Sequence, residues 1–208
     1  MRLSPLFAVL LMIVPWGQSD TASAHEKRIA RQGLITVRAA PGGIEIDALV
    51  IMRVAGERAF SVLARSDLNR DGELNQGEGT LLADSVSPDV LGGLVLRQGS
   101  VALRPTAAEG RARKVARDAV EIAILVTWPA ALTAGTHFSI METVGHMGAT
   151  STAIQMQASA IAPLRLKAQK SPGKEGLVGP VVLTPDGQAL SFSVEAKPTA
   201  RTGAVPVP

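Results

Sequence analysis

The chain lacks cysteine and tyrosine and has only three histidines among its 208 residues. Without cysteine, neither a disulfide bond nor a lipid-modified cysteine can hold or tether the protein, so it must fold on its hydrophobic core alone. The sequence also contains no Gly-x-Ser-x-Gly or Gly-x-x-x-x-Gly-Lys motif, which removes the usual nucleophilic and phosphoryl-transfer machinery. We therefore expect a protein that is not an enzyme.

Neither sign of charge is in large excess, since the formal net charge is only +3. The basic cluster of Arg111, Arg113, Lys114 and Arg117 has no aromatic residues between its members, and so it does not suit nucleic-acid binding. The cluster predicts a solvated connection over residues 109–117. We expect no nucleic-acid partner, and a protein partner stays open.

Long hydrophobic runs are missing too. A membrane span needs about 20 consecutive apolar residues, whereas residues 6–14 form only a short apolar run between Arg2 and the small residues at 22–24. This order of features is typical of a cleaved signal peptide. It predicts a signal peptide over residues 1–24, a mature chain that begins at His25, and a secreted or periplasmic protein without a membrane span.

Apolar and polar residues alternate over most of the chain from residue 33 onward, as they do in strands that place one face on a core. The pattern is clearest over 44–54 and over 120–128, where Trp128 is expected in the core. Glycine-containing turns predict hairpins around 41–43, 98–100 and 185–187, and further strands are predicted over 138–144 and 152–159. Seven to nine short strands predict a mainly β protein, an antiparallel Ig-like β-sandwich over residues 25–196, followed by a disordered tail over 197–208.

One segment does not follow this alternation. Residues 67–78 place oxygen-bearing side chains at alternate positions and a glycine at the centre; these residues are Asp67, Asn69, Asp71, Gly72, Glu73, Asn75 and Glu78. Calcium takes six to eight oxygen ligands, so a loop that surrounds it must supply carboxylates and carbonyls and turn sharply in the middle. The segment resembles the EF-hand calcium-binding loop of the calmodulin type. An ordinary solvated turn rich in Asp, Asn and Gly is the alternative.

The resemblance implies a role for each of these residues. Asp67, Asn69 and Asp71 would fill loop positions one, three and five, and Gly72 would permit a positive φ at position six. Glu73 would offer its backbone carbonyl. Asn75 would act directly or through a water, Glu78 would close the cage with both carboxylate oxygens, and Leu74 would point inward as an apolar anchor.

The flanking sequence predicts how this loop is held. Phe60, Leu63 and Ala64 recur at helical spacing and predict a helix over 57–66. Gly77 and Gly79 predict that the second helix is short or irregular and ends before Ser87-Pro88. Residues 56–86 would then be a helix-loop-helix module inserted between strands. EF-hands usually occur in pairs, and because only one such loop is found here, we do not expect a calcium sensor.

Two other functions remain open on the sequence. If cleavage follows residue 24, the α-amino group and imidazole of His25 could bind one copper ion together with a second histidine, His137 or His146, which resembles the histidine brace of copper-binding sandwich proteins. Met141 and Met147 could support such a site, or they could simply fill gaps in the core. The layout also resembles periplasmic accessory proteins of metal transport, and an interaction module with a merely structural ion is a further alternative.

Overall fold

The computed structural model describes residues 30–133, 136–143, 154–168, 177–183 and 188–196. Several predictions fall outside these residues: the signal peptide over 1–24, His25, His146, Met147, the turn at 185–187 and the tail over 197–208. The described residues form a mainly β structure of two sheets and two helices. None of the described helices has the length and apolar character needed to cross a membrane.

The elements follow one another along the chain in a mostly β order. Eleven strands are described: β1 (Ala30–Ala40), β2 (Gly43–Ala55), β3 (Leu94–Gln98), β4 (Val101–Ala102), β5 (Ala107–Ala116), β6 (Ala119–Ala130), β7 (His137–Glu142), β8 (Ile154–Ala160), β9 (Leu164–Ala168), β10 (Leu177–Leu183) and β11 (Ala189–Ala196). The helices α1 (Glu57–Ser66) and α2 (Gln76–Gly93) lie between β2 and β3.

The strands form a six-stranded sheet with the order β10-β8-β1-β2-β6-β5 and a five-stranded sheet with the order β4-β3-β7-β11-β9. The hairpins β1–β2 and β3–β4 confirm two of the predicted turns. The predicted antiparallel pairing is found for most of the described strand pairs, but β1 and β8 pair in parallel, which the sequence did not predict. Alternating residues identify a strand, but they do not tell which distant strand it pairs with or in which direction.

A single hydrophobic core joins the two sheets. Ile35 and Ile46 from the six-stranded sheet belong to the same buried cluster as Phe138 and Phe192 from the five-stranded sheet, and the two phenylalanine rings stack with their centroids 5.8 Å apart. Trp128 is also in this core, as predicted. The sequence pattern therefore found the inner faces of these strands correctly.

The opposite face of the six-stranded sheet is buried at its centre as well. Leu49, Ile51, Ala123 and Leu125 form a second, smaller apolar cluster. Asp47, on the same face of β2, is 2% exposed and accepts hydrogen bonds from Arg38 Nε at 2.9 Å and Thr127 Oγ1 at 2.7 Å.

These contacts explain how a carboxylate is buried on that face. The hydrogen bond to Asp47 raises the pKa of the Arg38 guanidinium, and a buried carboxylate needs such a charged partner. Burial on both faces differs from the simple one-sided pattern that the sequence predicts for β2.

Two connections differ from the sequence predictions. Of residues 109–117, predicted as a solvated connection, all but Arg117 belong to strand β5. The last two strands, predicted to form a hairpin, lie in different sheets, since β10 pairs with β8 whereas β11 pairs with β7 and β9. The inner face of β5 carries Gly110, Ala112 and Lys114, and these residues give almost no hydrophobic signal in the sequence.

Helix α2 is longer than the sequence predicts. It runs through Pro88 to Gly93 instead of ending before Ser87. Its buried residues continue on both sides of the proline, with Ala83 and Ser87 before it and Val90 after it. Packing along β5 therefore outweighs the helix-breaking effect of proline, which removes one backbone hydrogen bond.

Candidate metal-binding loop

The loop between α1 and α2 turns sharply at its centre. Arg70 and Gly72 have φ angles of 59° and 81°, a region that glycine adopts without a steric cost. The positive φ predicted for Gly72 is thereby confirmed. Helix α1 occupies the residues 57–66 that the sequence predicts, so the loop begins directly at Asp67.

The first three predicted ligands lie around this turn. Asp67 accepts hydrogen bonds at Oδ1 from the Asp71 N–H (3.1 Å) and at Oδ2 from the Gly72 N–H (2.8 Å). Asn69 Oδ1 also accepts from the Asp71 N–H at 3.0 Å, and Asn69 Nδ2 donates to Asp71 Oδ2 at 2.8 Å. Asp71 Oδ1 accepts from the Glu73 N–H at 2.8 Å. The loop thus brings loop positions one, three and five together.

Glu78 reaches back into the loop from the first turn of α2. Its Oε1 accepts hydrogen bonds from the N–H groups of Leu68 (2.8 Å) and Asn69 (3.2 Å), and its Oε2 accepts from the Asn75 N–H at 3.0 Å. Asn75 Oδ1 in turn accepts from the Glu78 N–H at 3.1 Å. The two residues form a capping box, in which each side chain accepts from the backbone N–H of the other. Glu78 is only 4% exposed. Its negative charge lies at a helix N-terminus, where the backbone dipoles favour it.

Glu73 is held differently from the other predicted ligands. Its carboxylate accepts a hydrogen bond from Lys114 Nζ at 2.9 Å, and the same nitrogen donates to the Gly72 carbonyl at 2.5 Å. Lys114 lies on β5, far away in the sequence, and the sequence placed it in a solvated connection. Only the pairing of β5 with the rest of the sheet brings it to the loop, so no local motif could have identified it.

The apolar residues beside the loop agree only in part with the sequence. Leu74 packs against the main core, as predicted, and so does Leu63 of α1. Phe60, which belongs to the same helical spacing, is 50% exposed. The residue of α1 that is fully buried is Ala59, because the helix is rotated so that its smallest side chain meets the sheet.

A cleft of about 310 Å³ adjoins the end of the loop. Arginines of β5 line one side of the cleft, and the start of α2 lines the other side. Arg113 donates from Nε (2.9 Å) and Nη2 (2.6 Å) to Glu121 Oε1 in its wall. The lining residues are Leu74, Asn75, Gln76, Arg111, Ala112, Arg113, Glu121 and Ala123.

The loop fits a calcium ion in the chemistry of its donors. Its candidate ligands supply carboxylate, amide and carbonyl oxygens, which are the hard ligands that calcium takes. Within the described residues, however, no group of three or more His, Cys, Asp or Glu side chains is arranged to hold a metal ion. Asp67, Asp71 and Glu78 instead each accept hydrogen bonds from backbone N–H groups.

Of the candidate copper ligands, the structure describes His137 and Met141. His137 begins β7 and is exposed, and Met141 lies near the end of the same strand. His25, His146 and Met147 fall outside the described residues, so the histidine brace stays a prediction.

Comparison with known proteins gives no relative from which a role could be transferred to this loop. No protein-family model matches the chain, and no curated protein and no solved structure shows significant similarity to it.

Proposed function

We propose that this chain is an exported, non-enzymatic calcium-binding protein in which one EF-hand-like loop is inserted into an Ig-like β-sandwich. Asp67 and Glu78 support the proposal most directly, because two carboxylates from opposite ends of one loop converge on the backbone of residues 68–72. The ligand set is Asp67, Asn69, Asp71, the carbonyl of Glu73, Asn75 and Glu78. This set contains three ligating carboxylates and no soft donor, which favours calcium over copper.

Binding exchanges hydrogen bonds for metal contacts. Each carboxylate oxygen has two lone pairs, so Asp67 can keep its bonds to the N–H groups of Asp71 and Gly72 while it contacts the ion. To contact the ion with both oxygens, Glu78 must free a lone pair on Oε1, which accepts from the N–H groups of Leu68 and Asn69, and this reorganisation opposes binding. We therefore place the dissociation constant at about 10⁻⁵ to 10⁻³ M, towards the range of extracellular calcium modules.

Elemental analysis of the processed protein tests the proposal. After dialysis against calcium and copper together, we expect about one calcium per chain, as for a single loop of this type. Asp67→Ala should remove the bound calcium. Asp84→Ala is the matched control, because it removes one carboxylate from the exposed side of α2 outside the loop and should leave the calcium in place.

The opposite results would contradict the calcium site. They are calcium retained at full stoichiometry by Asp67→Ala, or copper bound in a manner that depends on His25 and survives Asp67→Ala.

Hydrogen exchange provides an independent test of where calcium acts. Because the free loop arranges its oxygens less well, calcium at tenfold excess over its dissociation constant should stabilise the bound form by about 1.4 kcal/mol. We expect protection to rise over residues 57–85 and to change little over 120–128, since the core of β6 is already buried without metal. A loss of protection across both sheets on chelation would instead make the ion necessary for the whole fold.

A further inference from the structure

Lys114 connects the loop to the six-stranded sheet. Its Nζ donates to the Gly72 carbonyl at 2.5 Å and to Glu73 Oε1 at 2.9 Å. The lysine side chain is 20% exposed and the Glu73 side chain 69% exposed. The strand that carries Lys114 is fixed by its pairing with β6, in which Lys114 lies opposite Val120.

These two contacts hold Glu73 through the Gly72–Glu73 peptide and through the Glu73 side chain. The Gly72 carbonyl precedes the Glu73 nitrogen, and the Glu73 side chain leaves the chain next to the Glu73 carbonyl, which is the predicted ligand at loop position seven. The Glu73 N–H is fixed in addition by Asp71 Oδ1 at 2.8 Å. Unlike a side-chain ligand, a backbone carbonyl can be aimed only by fixing the residue that carries it, and Lys114 fixes Glu73 through the carbonyl that precedes it and through its own side chain.

We propose that Lys114 is a positioning residue of the calcium site: by holding the Gly72 carbonyl and the Glu73 carboxylate, it aims the Glu73 carbonyl at the ion. The inference rests on the proposed calcium function and adds a residue from outside the loop. Partners that orient metal ligands in this way typically change metal affinity by about 10- to 100-fold when they are removed.

A charge effect and a positioning effect predict opposite changes in calcium affinity when the Lys114 side chain is removed. If the lysine acted only through its charge, Lys114→Met would remove a cation near the site, leave the Glu73 carboxylate unpaired and tighten calcium binding. If it positions the carbonyl, the same change weakens binding. Charge effects at this exposed pair are reduced by solvent, so the positioning effect should dominate.

The test is a calcium titration of four variants of the full chain. We expect Lys114→Met to raise the dissociation constant roughly tenfold, chiefly through faster calcium release in stopped-flow chelation, and Lys114→Arg to restore most of the affinity. Lys114→Met combined with Glu73→Gln leaves the net charge unchanged, and it should still bind weakly. Lys167→Met is the matched control, because Lys167 makes a similar surface ion pair with Glu195 at 2.8 Å on the other sheet.

A measurement without metal separates this inference from the calcium function itself. In chelator, Lys114→Met should speed amide exchange at Glu73 and Leu74 but not in β9, where Lys167 lies. Tighter calcium binding by Lys114→Met, or normal affinity in the charge-neutral double variant, would overturn the positioning role. If the parent protein binds no calcium while the exchange effect is present, the calcium function fails but the contact that positions the loop is upheld.

Discussion

Replacing Glu78 with alanine is expected to lower the free energy of unfolding of the metal-free protein by about 1–3 kcal/mol, because the side chain caps α2 and accepts three partly buried backbone hydrogen bonds. Three backbone N–H groups, those of Leu68, Asn69 and Asn75, lose their acceptor. Leaving a buried donor without a partner costs about 1–3 kcal/mol, and water entering the opened loop recovers part of this. Urea unfolding in the presence of a chelator measures the loss, and calcium binding should disappear in the same variant.

Glu78→Gln separates the cap from the metal ligand. The amide oxygen can still accept a backbone hydrogen bond, so this variant should lose less stability than alanine, whereas the loss of a charged bidentate ligand should still abolish calcium binding. Glu109→Ala removes an exposed carboxylate from β5 and should change stability by less than about 0.5 kcal/mol. If Glu78→Ala were as stable as the parent without metal, the carboxylate could not be the acceptor for these N–H groups.

Gly79→Ala is expected to destabilise the protein by about 1–3 kcal/mol, the usual cost of forcing extra volume into a packed site. A Cβ at Gly79 would overlap the carbonyl oxygen of Ala112 and would lie 3.2 Å from its carbonyl carbon. Backbone atoms of a paired strand cannot turn aside as a flexible side chain can, so α2 must move away from β5. Thermal or urea unfolding of the metal-free protein measures the effect.

Gly77→Ala is the control on the same helix. Its Cβ would meet only Asn75 Oδ1, at 3.4 Å, and alanine is favoured over glycine in a helix by up to about 1 kcal/mol. The two substitutions are chemically identical, yet they should change stability in opposite directions. A gain of stability in both variants would contradict the close approach of α2 to β5.

The sequence predicts much of the strand content and little of the connectivity. The strand over 120–128 was found because large apolar residues alternate with polar ones. The hairpin around 41–43 was found because such alternation continues on both sides of a tight turn. Strand β5 was missed because its inner face carries no large apolar residue, only small side chains and Lys114, and β9 was not predicted at all. The parallel pairing of β1 with β8 depends on residues far apart in sequence, for which alternation carries no information.

The candidate site likewise has features that the sequence predicts and features that it does not. Helix α1 and the positive φ of Gly72 were predicted to the residue, since helical spacing and a tight turn both require particular residues at short, fixed spacings, whereas the calcium ligands stay a prediction. The length of α2 was underestimated, because the helix is buried on both sides of Pro88 against strands that are distant in the sequence. Lys114 was missed for the same reason, since it reaches Gly72 only after the sheet has formed.

The position of α2 along β5 also places a helix beside the outermost strand of the six-stranded sheet. Strand β5 is the last strand of its sheet, and an outermost strand offers free backbone groups with which another chain can pair and aggregate. Gly79 lies so close to Ala112 that the helix occupies space a neighbouring chain would need. Loosening the loop by chelation, or by Glu78→Ala, should therefore expose the outer edge of β5. Self-association should then increase before the rest of the fold is lost.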